Sequence, residues 1–246
     1  MNTIYRYIVL ITLLTSVSIS FKSCKEKDLN TEQKFGLVDD QADKSVISLY
    51  DRLHALRKTG FAIGHQDATS YGIGWSHADA PELIDSDVKR AVNSLPAVIG
   101  FDIGQLELGN SHKLDSVPFD TMRALMIDAH KKGAIINYSW HLDNPVTGDD
   151  SWDMTPATKA ILPKGEYHRK YNEWLERVAV FFKSLHHDGE SVPVIFRPFH
   201  EMNGNWFWWG LPNSNATDYV ALWQYTVKVL RDQHQVHNLM YAFSPN

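Results

Sequence analysis

The segment RPFHEMNGNWFWWG, residues 197–210, concentrates side chains that can do chemistry behind an apolar run. Glu201 offers a carboxylate and His200 an imidazole, and Trp206, Trp208 and Trp209 follow closely. Sugars present apolar C–H faces together with many hydroxyl groups, so a sugar site needs flat aromatic rings and a few fixed donors and acceptors. This combination predicts a carbohydrate-binding cleft.

Cleavage of a glycosidic bond needs two carboxyl groups, one that protonates the leaving oxygen and one on the opposite side of the anomeric carbon. Glu201 is the candidate for the acid. A loop glutamate that pairs with Arg197 or caps a turn would look the same in the sequence. The segment alone leaves both interpretations open.

Three histidines, His65, His141 and His200, fall at the ends of candidate strands and raise the alternative of a metal centre. Zinc peptidases carry H-E-x-x-H on a helix, but here the fourth residue after His200 is Gly204. No paired Asp/Asn loop of the calcium type is visible either. We therefore predict no metal and no cofactor, since two carboxyl groups suffice for the reaction. A structural hydrogen bond is the alternative role for each histidine.

Apolar runs rich in β-branched residues must position these side chains. Nearly continuous hydrophobic runs are typical of strands buried on both faces of a parallel sheet. The candidate strands are residues 61–64, 97–102, 134–140, 192–199 and 238–244.

Helical patterns alternate with these runs. Apolar side chains recur at helical spacing in residues 46–56, 122–129, 171–185 and 219–230. A helix followed by repeated strand–helix units predicts an α/β fold with right-handed crossovers.

Each candidate strand ends in a cluster of polar or aromatic residues, such as GHQDATSYG after the first and SWHLDNP at the third. In a (β/α)8 barrel the active site is built from these carboxyl ends. A doubly wound sheet would instead show GxGxxG after an early strand, and that motif is absent. The sequence therefore predicts a (β/α)8 TIM barrel. Because only about five βα units are visible, we expect residues 43–246 to form a barrel truncated after the fifth unit.

The first residues are typical of an export signal. Arg6 precedes an apolar run at residues 7–19 that is too short for a spanning helix, which predicts a signal peptide over residues 1–23. Cys24, the only cysteine, follows in a context similar to a lipobox, and residues 24–42 would form a polar tether. We expect an exported lipoprotein at the cell surface or in the periplasm. Signal cleavage without lipid and an uncleaved anchor are the alternatives.

The charge balance excludes one class of partner. The chain carries 24 basic and 29 acidic residues, and removing residues 1–23 would take away two basic residues and no acid. No Lys/Arg run is available to neutralise phosphates, so we expect no nucleic-acid partner, and the membrane would be reached only through the lipid.

The segment RPFHEMNGNWFWWG resembles the signature of the glycoside hydrolase family 26 β-mannanases, which are retaining enzymes built on a (β/α)8 barrel. GHQD at residues 64–67, FDIGQLE at 101–107 and SWHLDNP at 139–145 are similar to earlier strand ends of that family. The resemblance spans roughly residues 60–246. It implies hydrolysis of β-1,4-mannosidic linkages, with a mannan-type polysaccharide as the partner.

The resemblance also implies roles for individual residues. Glu201 aligns with the general acid/base, and His200 would orient the sugar beside it. Trp206 would stack near the cleaved sugar, His141 would contact that sugar, and Arg197 would support the catalytic carboxylates.

Five further side chains have two open interpretations. Trp140 and Trp209 are expected to contact the substrate, with barrel packing as their alternative role. Asp102, Glu107 and Asp143 are candidates for substrate contacts or for structural roles.

The family's nucleophile is a second glutamate at the end of the seventh strand. With five strands visible, the resemblance implies that this glutamate is absent from the chain, which would then be inactive alone. Asp102 and Glu107 are poor substitutes because they come from the second strand. Two alternatives stay open: another β-glycanase of the family acting on mixed-linkage glucan or xylan, and a non-catalytic glycan-binding surface lipoprotein.

Overall fold

The computed structural model describes residues 36–77 and 85–246. Its compact folded unit runs from Leu37 to Asn246. The predicted signal peptide, Cys24 and the first part of the predicted tether lie outside the described residues.

The central sheet has five parallel strands in chain order, each hydrogen-bonded to the next. The strands are β1 (Gly64–Gln66), β2 (Val98–Asp102), β3 (Ile135–Trp140), β4 (Val194–Pro198) and β5 (Leu239–Tyr241). Two antiparallel pairs lie outside this sheet: Tyr71–Gly72 with Trp75–Ser76, and His186–His187 with Glu190–Ser191. Because all five strands run the same way, their carboxyl ends share one edge of the sheet.

One helix precedes β1, and further helices lie in the connections between the strands. They are α1 (Lys44–Leu56), α2 (Asp87–Val92), α3 (Phe119–Lys131), α4 (Thr158–Ile161), α5 (His168–Lys183) and α6 (Ala216–Lys228), which continues into a π-helix (Val229–Gln233). The four long helices match the four predicted apolar stripes. The start of α6 is fixed by Asn215, whose side chain accepts a hydrogen bond from the Asp218 backbone N–H. The short α2 and α4 had no periodic signal in the sequence.

The core lies between the sheet and the long helices. Phe101 on β2, Tyr138 on β3 and Phe196 on β4 are fully buried. Phe182 on α5 packs edge-on against Phe196, with ring centroids 5.1 Å apart. Each such ring contributes about 1.5–3 kcal/mol by leaving water. These contacts hold α5 against the middle of the sheet, beneath the strand ends.

The first strand differs from its prediction. Residues 61–64 were expected to be buried on both faces, but the pairing starts at Gly64, and Phe61 and Ile63 are 82% and 68% exposed. Within the described ranges β1 is an outer strand that pairs only with β2, so one side of its apolar run lacks a neighbour.

The folded domain begins before residue 43. Asp39, which the sequence assigned to the tether, is buried and its carboxylate lies 2.9 Å from Nδ1 of His237. Arg231 donates a hydrogen bond to the backbone oxygen of Val38. Residues 38–42 are therefore part of the domain, held against the segment that leads into β5.

Candidate active site

Glu201 lies three residues beyond the end of β4, at the shared carboxyl edge of the sheet. Its backbone is in the left-handed region, with φ 55°, as is that of Phe199, with φ 52°. Such conformations are uncommon for residues with a side chain and are retained where the surroundings enforce them. The Glu201 backbone N–H donates to the Ser244 carbonyl at 2.7 Å, which ties this turn to the residues after β5.

Trp206 fixes the Glu201 carboxylate. Its indole Nε1–H donates to Oε2 of Glu201 at 3.0 Å. The intervening turn needs glycine at position 204, because a Cβ there would lie 2.3 Å from the Trp206 ring. The spacing of Glu201, Gly204 and Trp206 in the sequence thus encodes a carboxylate with a preset orientation and a half-buried aromatic ring beside it.

His200, the residue before Glu201, meets His141 edge to face. Their Nε2 atoms are 3.2 Å apart, and the ring centroids are 4.6 Å apart. Burial, with a smaller contribution from His141, lowers the pKa of His200 to about 3. The His200 imidazole is therefore neutral at ordinary pH.

Asp102 holds the other side of His141. Its Oδ2 lies 2.8 Å from Nδ1 of His141 and accepts from the Ser139 hydroxyl at 2.6 Å. Burial by itself would raise the pKa of Asp102, but hydrogen bonding and charge from His141, together with the bonds from Ser139 and the Gly104 N–H, hold it below its usual range. Strand register explains the contact, since Asp102 pairs with Ser139 across β2 and β3. Of the two interpretations left open for Asp102, the structure favours the structural role, because its carboxylate is buried and bonded inward.

Arg197 lies on β4 and donates from Nη1 to the Ser244 hydroxyl at 2.7 Å. Burial lowers its pKa, while the charges of Glu201 and Asp102 act in the opposite direction. A guanidinium keeps its proton in proteins, so Arg197 supplies fixed positive charge close to two carboxylates. Its support of the catalytic carboxylates stays a prediction.

Trp140 and Trp209 do not line a cleft surface, contrary to the expected substrate contact. Both side chains are fully buried. The Trp140 indole N–H donates to Glu107 Oε2 at 3.0 Å, and that of Trp209 donates to the His200 carbonyl at 2.8 Å. Their rings lie beneath the site, and Trp209 holds the backbone of His200 in place.

Glu107 and Asp143, in the loops that follow β2 and β3, are joined by a hydrogen bond. Glu107 is fully buried, accepts from Trp140 and from the Asp143 backbone N–H, and burial raises its pKa to about 7. Asp143 accepts from Gln105 at 3.0 Å, and burial followed by the charge of Asp150 raises its pKa to about 6. The enclosed position of Glu107 favours its structural role over a substrate contact.

Two aromatic residues of the site escaped the sequence analysis. Trp152 is 50% exposed and stacks on His141, with centroids 5.2 Å apart and planes 14° apart. Phe207 contacts the rings of His141, His200 and Trp152. An exposed tryptophan parallel to a polar ring offers the flat apolar surface that a sugar face requires.

Within residues 36–77 and 85–246, no group of three or more His, Cys, Asp or Glu side chains is arranged to hold a metal ion. In the same ranges no helix combines the length and apolarity required to cross a bilayer.

Comparison with known proteins identifies the chain's relatives. The model of glycosyl hydrolase family 26 matches residues 38–246. The chain belongs to this family. A mannan endo-1,4-beta-mannosidase from Bifidobacterium adolescentis is 36% identical over 225 residues, a match that covers 89% of this chain and 22% of that protein. The resemblance seen in the sequence at residues 197–210 is thus confirmed.

Solved members of family 26 share the fold. A GH26 β-mannanase from Bacteroides ovatus superposes with a TM-score of 0.77 at 40% identity, covering 82% of this chain and 58% of that one. The catalytic domain of a GH26 endo-β-1,4-mannanase from a Bacillus species superposes with a TM-score of 0.79 at 38% identity. This match covers 86% of this chain and 56% of that one. The predicted TIM-barrel class is confirmed, and the chain spans a little over half the length of these solved relatives.

Proposed function

We propose that the protein hydrolyses β-1,4-mannosidic linkages in mannan-type polysaccharides by a retaining two-carboxylate mechanism, with Glu201 as general acid/base. The observation that carries the proposal is the preset Glu201 carboxylate, held at the carboxyl end of β4 by the Trp206 N–H at 3.0 Å. The family match and relatives named as mannan endo-1,4-beta-mannosidases support the substrate class.

The chemistry assigns Glu201 two successive tasks. In the first step it gives its proton to the glycosidic oxygen while a second carboxylate attacks the anomeric carbon and the C–O bond breaks. In the second step Glu201 takes a proton from water as that water displaces the enzyme carboxylate. A retaining pair stands about 5–5.5 Å apart, and the family resemblance implies that the partner is a glutamate at the end of a seventh strand.

The test is Glu201→Gln in the protein expressed from its complete reading frame. We expect hydrolysis of β-mannan, measured as release of reducing ends, to fall roughly 10²- to 10⁴-fold, the range for loss of a general acid–base. An aryl mannoside with a good leaving group needs no acid in the first step, so the variant should still release one equivalent of phenol rapidly. Glu173→Gln is the matched control, because Glu173 lies on α5 in an exposed pair with Arg169.

The same assay decides between substrates and between functions. Parallel assays with mixed-linkage glucan and xylan test the other glycanase activities, and faster cleavage of either than of mannan would replace the proposed substrate. A wild-type protein whose migration is slowed by mannan in affinity electrophoresis, but which releases no reducing ends, would be a non-catalytic glycan-binding protein.

We further propose that the protein is exported and anchored through a lipid on Cys24. The support is the sequence alone: Arg6, the apolar run at residues 7–19 and the cysteine that follows it. Radiolabelled palmitate should enter the wild-type protein during growth and should be absent from Cys24→Ser. Equal labelling of the two proteins would overturn the proposal.

A further inference from the structure

Asp102, His141 and His200 form a continuous line of polar contacts that ends beside Glu201. The Asp102 carboxylate contacts His141 at Nδ1, and His141 contacts His200 through facing Nε2 atoms. We propose that Asp102 is a positioning residue, which sets the direction of hydrogen bonding through His141 to His200 and fixes one tautomer of each ring.

The first link has only one direction. Asp102 Oδ1 accepts from the backbone N–H groups of Gly104 and His141, at 2.7 and 3.3 Å, and Oδ2 accepts from the Ser139 hydroxyl at 2.6 Å. A carboxylate surrounded by donors in this way is ionised and has no proton to give. His141 must therefore carry a hydrogen on Nδ1 and donate it to Oδ2, 2.8 Å away.

The second link follows from the first. A neutral imidazole that donates from Nδ1 has a lone pair on Nε2. The facing Nε2 atom of His200 is 3.2 Å away, and two lone pairs at that distance would repel each other. With His141 neutral, His200 carries its hydrogen on Nε2 and donates it to His141. A doubly protonated His141 would instead donate to His200 and leave the hydrogen of His200 on Nδ1.

The remaining ring nitrogen supports this direction. Nδ1 of His200 is buried and has no hydrogen-bond partner among the described residues. In the proposed direction this atom holds a lone pair, whereas in the reverse direction it would hold an orphaned N–H donor, the rarer situation in folded proteins. The positive charge of Arg197 also disfavours a second proton on His200.

The consequence concerns the reaction, and this part rests on the proposed function. His141 is partly exposed and is stacked between Trp152 and the edge of Phe207, so its orientation is transmitted to the surface that faces the sugar. His200 directly precedes Glu201 in the chain. A fixed tautomer on each ring presents one constant pattern of donor and acceptor next to the acid/base.

Asp102→Asn should reverse the direction of hydrogen bonding between His141 and His200, because asparagine has nearly the same shape as aspartate but offers a donor in place of an acceptor. The amide oxygen would remain at the position of Oδ1, because the NH₂ group cannot face two backbone N–H donors. The NH₂ group would then donate to Nδ1 of His141. His141 would carry its hydrogen on Nε2 and donate to His200, whose hydrogen would move to the buried Nδ1.

The experiment reads the tautomers directly, by long-range ¹H–¹⁵N NMR of histidine-labelled protein expressed from its complete reading frame. The two rings are assigned with His141→Gln and His200→Gln. We expect Nδ1–H on His141 and Nε2–H on His200 in the wild type, and the opposite pair in Asp102→Asn. Ser139→Ala removes a bond to the same carboxylate without adding a donor, and it should keep the wild-type tautomers.

A merely structural role for Asp102 would leave both tautomers unchanged in a folded Asp102→Asn variant, and that result overturns the proposal. A doubly protonated His141 in the wild type overturns it as well. In the activity arm kcat/KM on β-mannan should fall roughly tenfold to a hundredfold, as activity does when the residue that orients a metal-bound histidine is replaced. Reversed tautomers with unchanged kcat/KM would refute the positioning role. A wild type without hydrolytic activity would refute the proposed function, while the tautomers would still decide the direction of the line.

Discussion

Trp206 combines two roles that a substitution can separate. Trp206→Phe keeps an aromatic ring but removes the N–H that donates to Glu201 at 3.0 Å. Hydrogen bonds to a charged group contribute about 1.5–3 kcal/mol, so we expect kcat/KM on β-mannan to fall roughly tenfold to a hundredfold, with a smaller change in KM. The matched control is Trp223→Phe. Trp223 is a half-buried tryptophan of α6 that packs on Phe243, and its replacement should leave the kinetics unchanged. An unaltered kcat in Trp206→Phe would show that the carboxylate is positioned by other contacts.

Glu107 predicts a pH dependence of stability. Burial raises its pKa to about 7 from an ordinary 4.5, so between these values the folded state holds a proton that the unfolded state has released. The wild type therefore loses stability as the pH rises through this window, by about 3 kcal/mol in total. Glu107→Gln cannot release a proton and lacks this loss. Urea unfolding at pH 5 and pH 8 should show the larger drop in the wild type.

The buried Asp143, whose pKa is raised to about 6, titrates in both proteins and largely cancels in that comparison. If the wild type and Glu107→Gln lose the same free energy of unfolding between the two pH values, Glu107 is ionised in the folded protein throughout.

Residue type alone could not divide the tryptophans between core and cleft. Trp140 and Trp209 are of the residue type expected to stack on a sugar, but both are fully buried. Their indole N–H groups donate hydrogen bonds to Glu107 and to the His200 carbonyl. Trp152 lies in a loop without periodicity, and only the folded chain brings it onto His141. The carboxylate and the two histidines were predictable because they follow directly on apolar strands, and parallel strands bring such ends together.

An ion pair that no sequence motif predicted joins the loops after β1 and β2. Lys113 Nζ is completely buried and lies 2.7 Å from Asp67 and 2.9 Å from Asp115. The two carboxylates come from segments more than 40 positions apart in the chain, so their meeting depends on how the loops fold. Predicted strands were placed to within a few residues, whereas contacts of this kind were not predicted at all.

Lys113→Met should be strongly destabilising. It leaves the Asp67 carboxylate buried without its cation, and removing one partner of a buried pair typically costs about 3–5 kcal/mol. The free energy of unfolding in urea measures this cost. Lys132→Met is the matched control, because its pair with Asp128 at the end of α3 is partly exposed and should contribute about 0.5 kcal/mol or less. Equal effects of the two substitutions would contradict the buried, compensating role of Lys113.

The overall fold class followed from alternation of strands and helices, while the limits of the domain did not. Residues 24–42 lack hydrophobic periodicity, so the sequence placed them in a tether, but the folded unit begins at Leu37. Polar contacts hold these residues on the domain. The Asp39 carboxylate contacts His237, almost 200 residues later, and the Asp43 backbone N–H donates to the His237 carbonyl at 2.9 Å. Single hydrogen bonds between residues so far apart produce no periodic pattern in the sequence, so they could not be predicted from it.

A pair of truncated proteins tests this boundary. A protein that starts at Leu37 keeps the contacts of Val38 and Asp39, whereas one that starts at Asp43 leaves His237 and Arg231 without those partners. Since each lost hydrogen bond contributes about 0.5–1.5 kcal/mol, we expect the free energy of unfolding of the shorter protein to be about 2 kcal/mol lower. Asp39→Asn in the longer protein should reproduce part of that loss, and Asp40→Asn, at an exposed neighbour, should not. Equal stability of the two truncated proteins would mean that residues 37–42 rest on the domain without stabilising it, as a tether would.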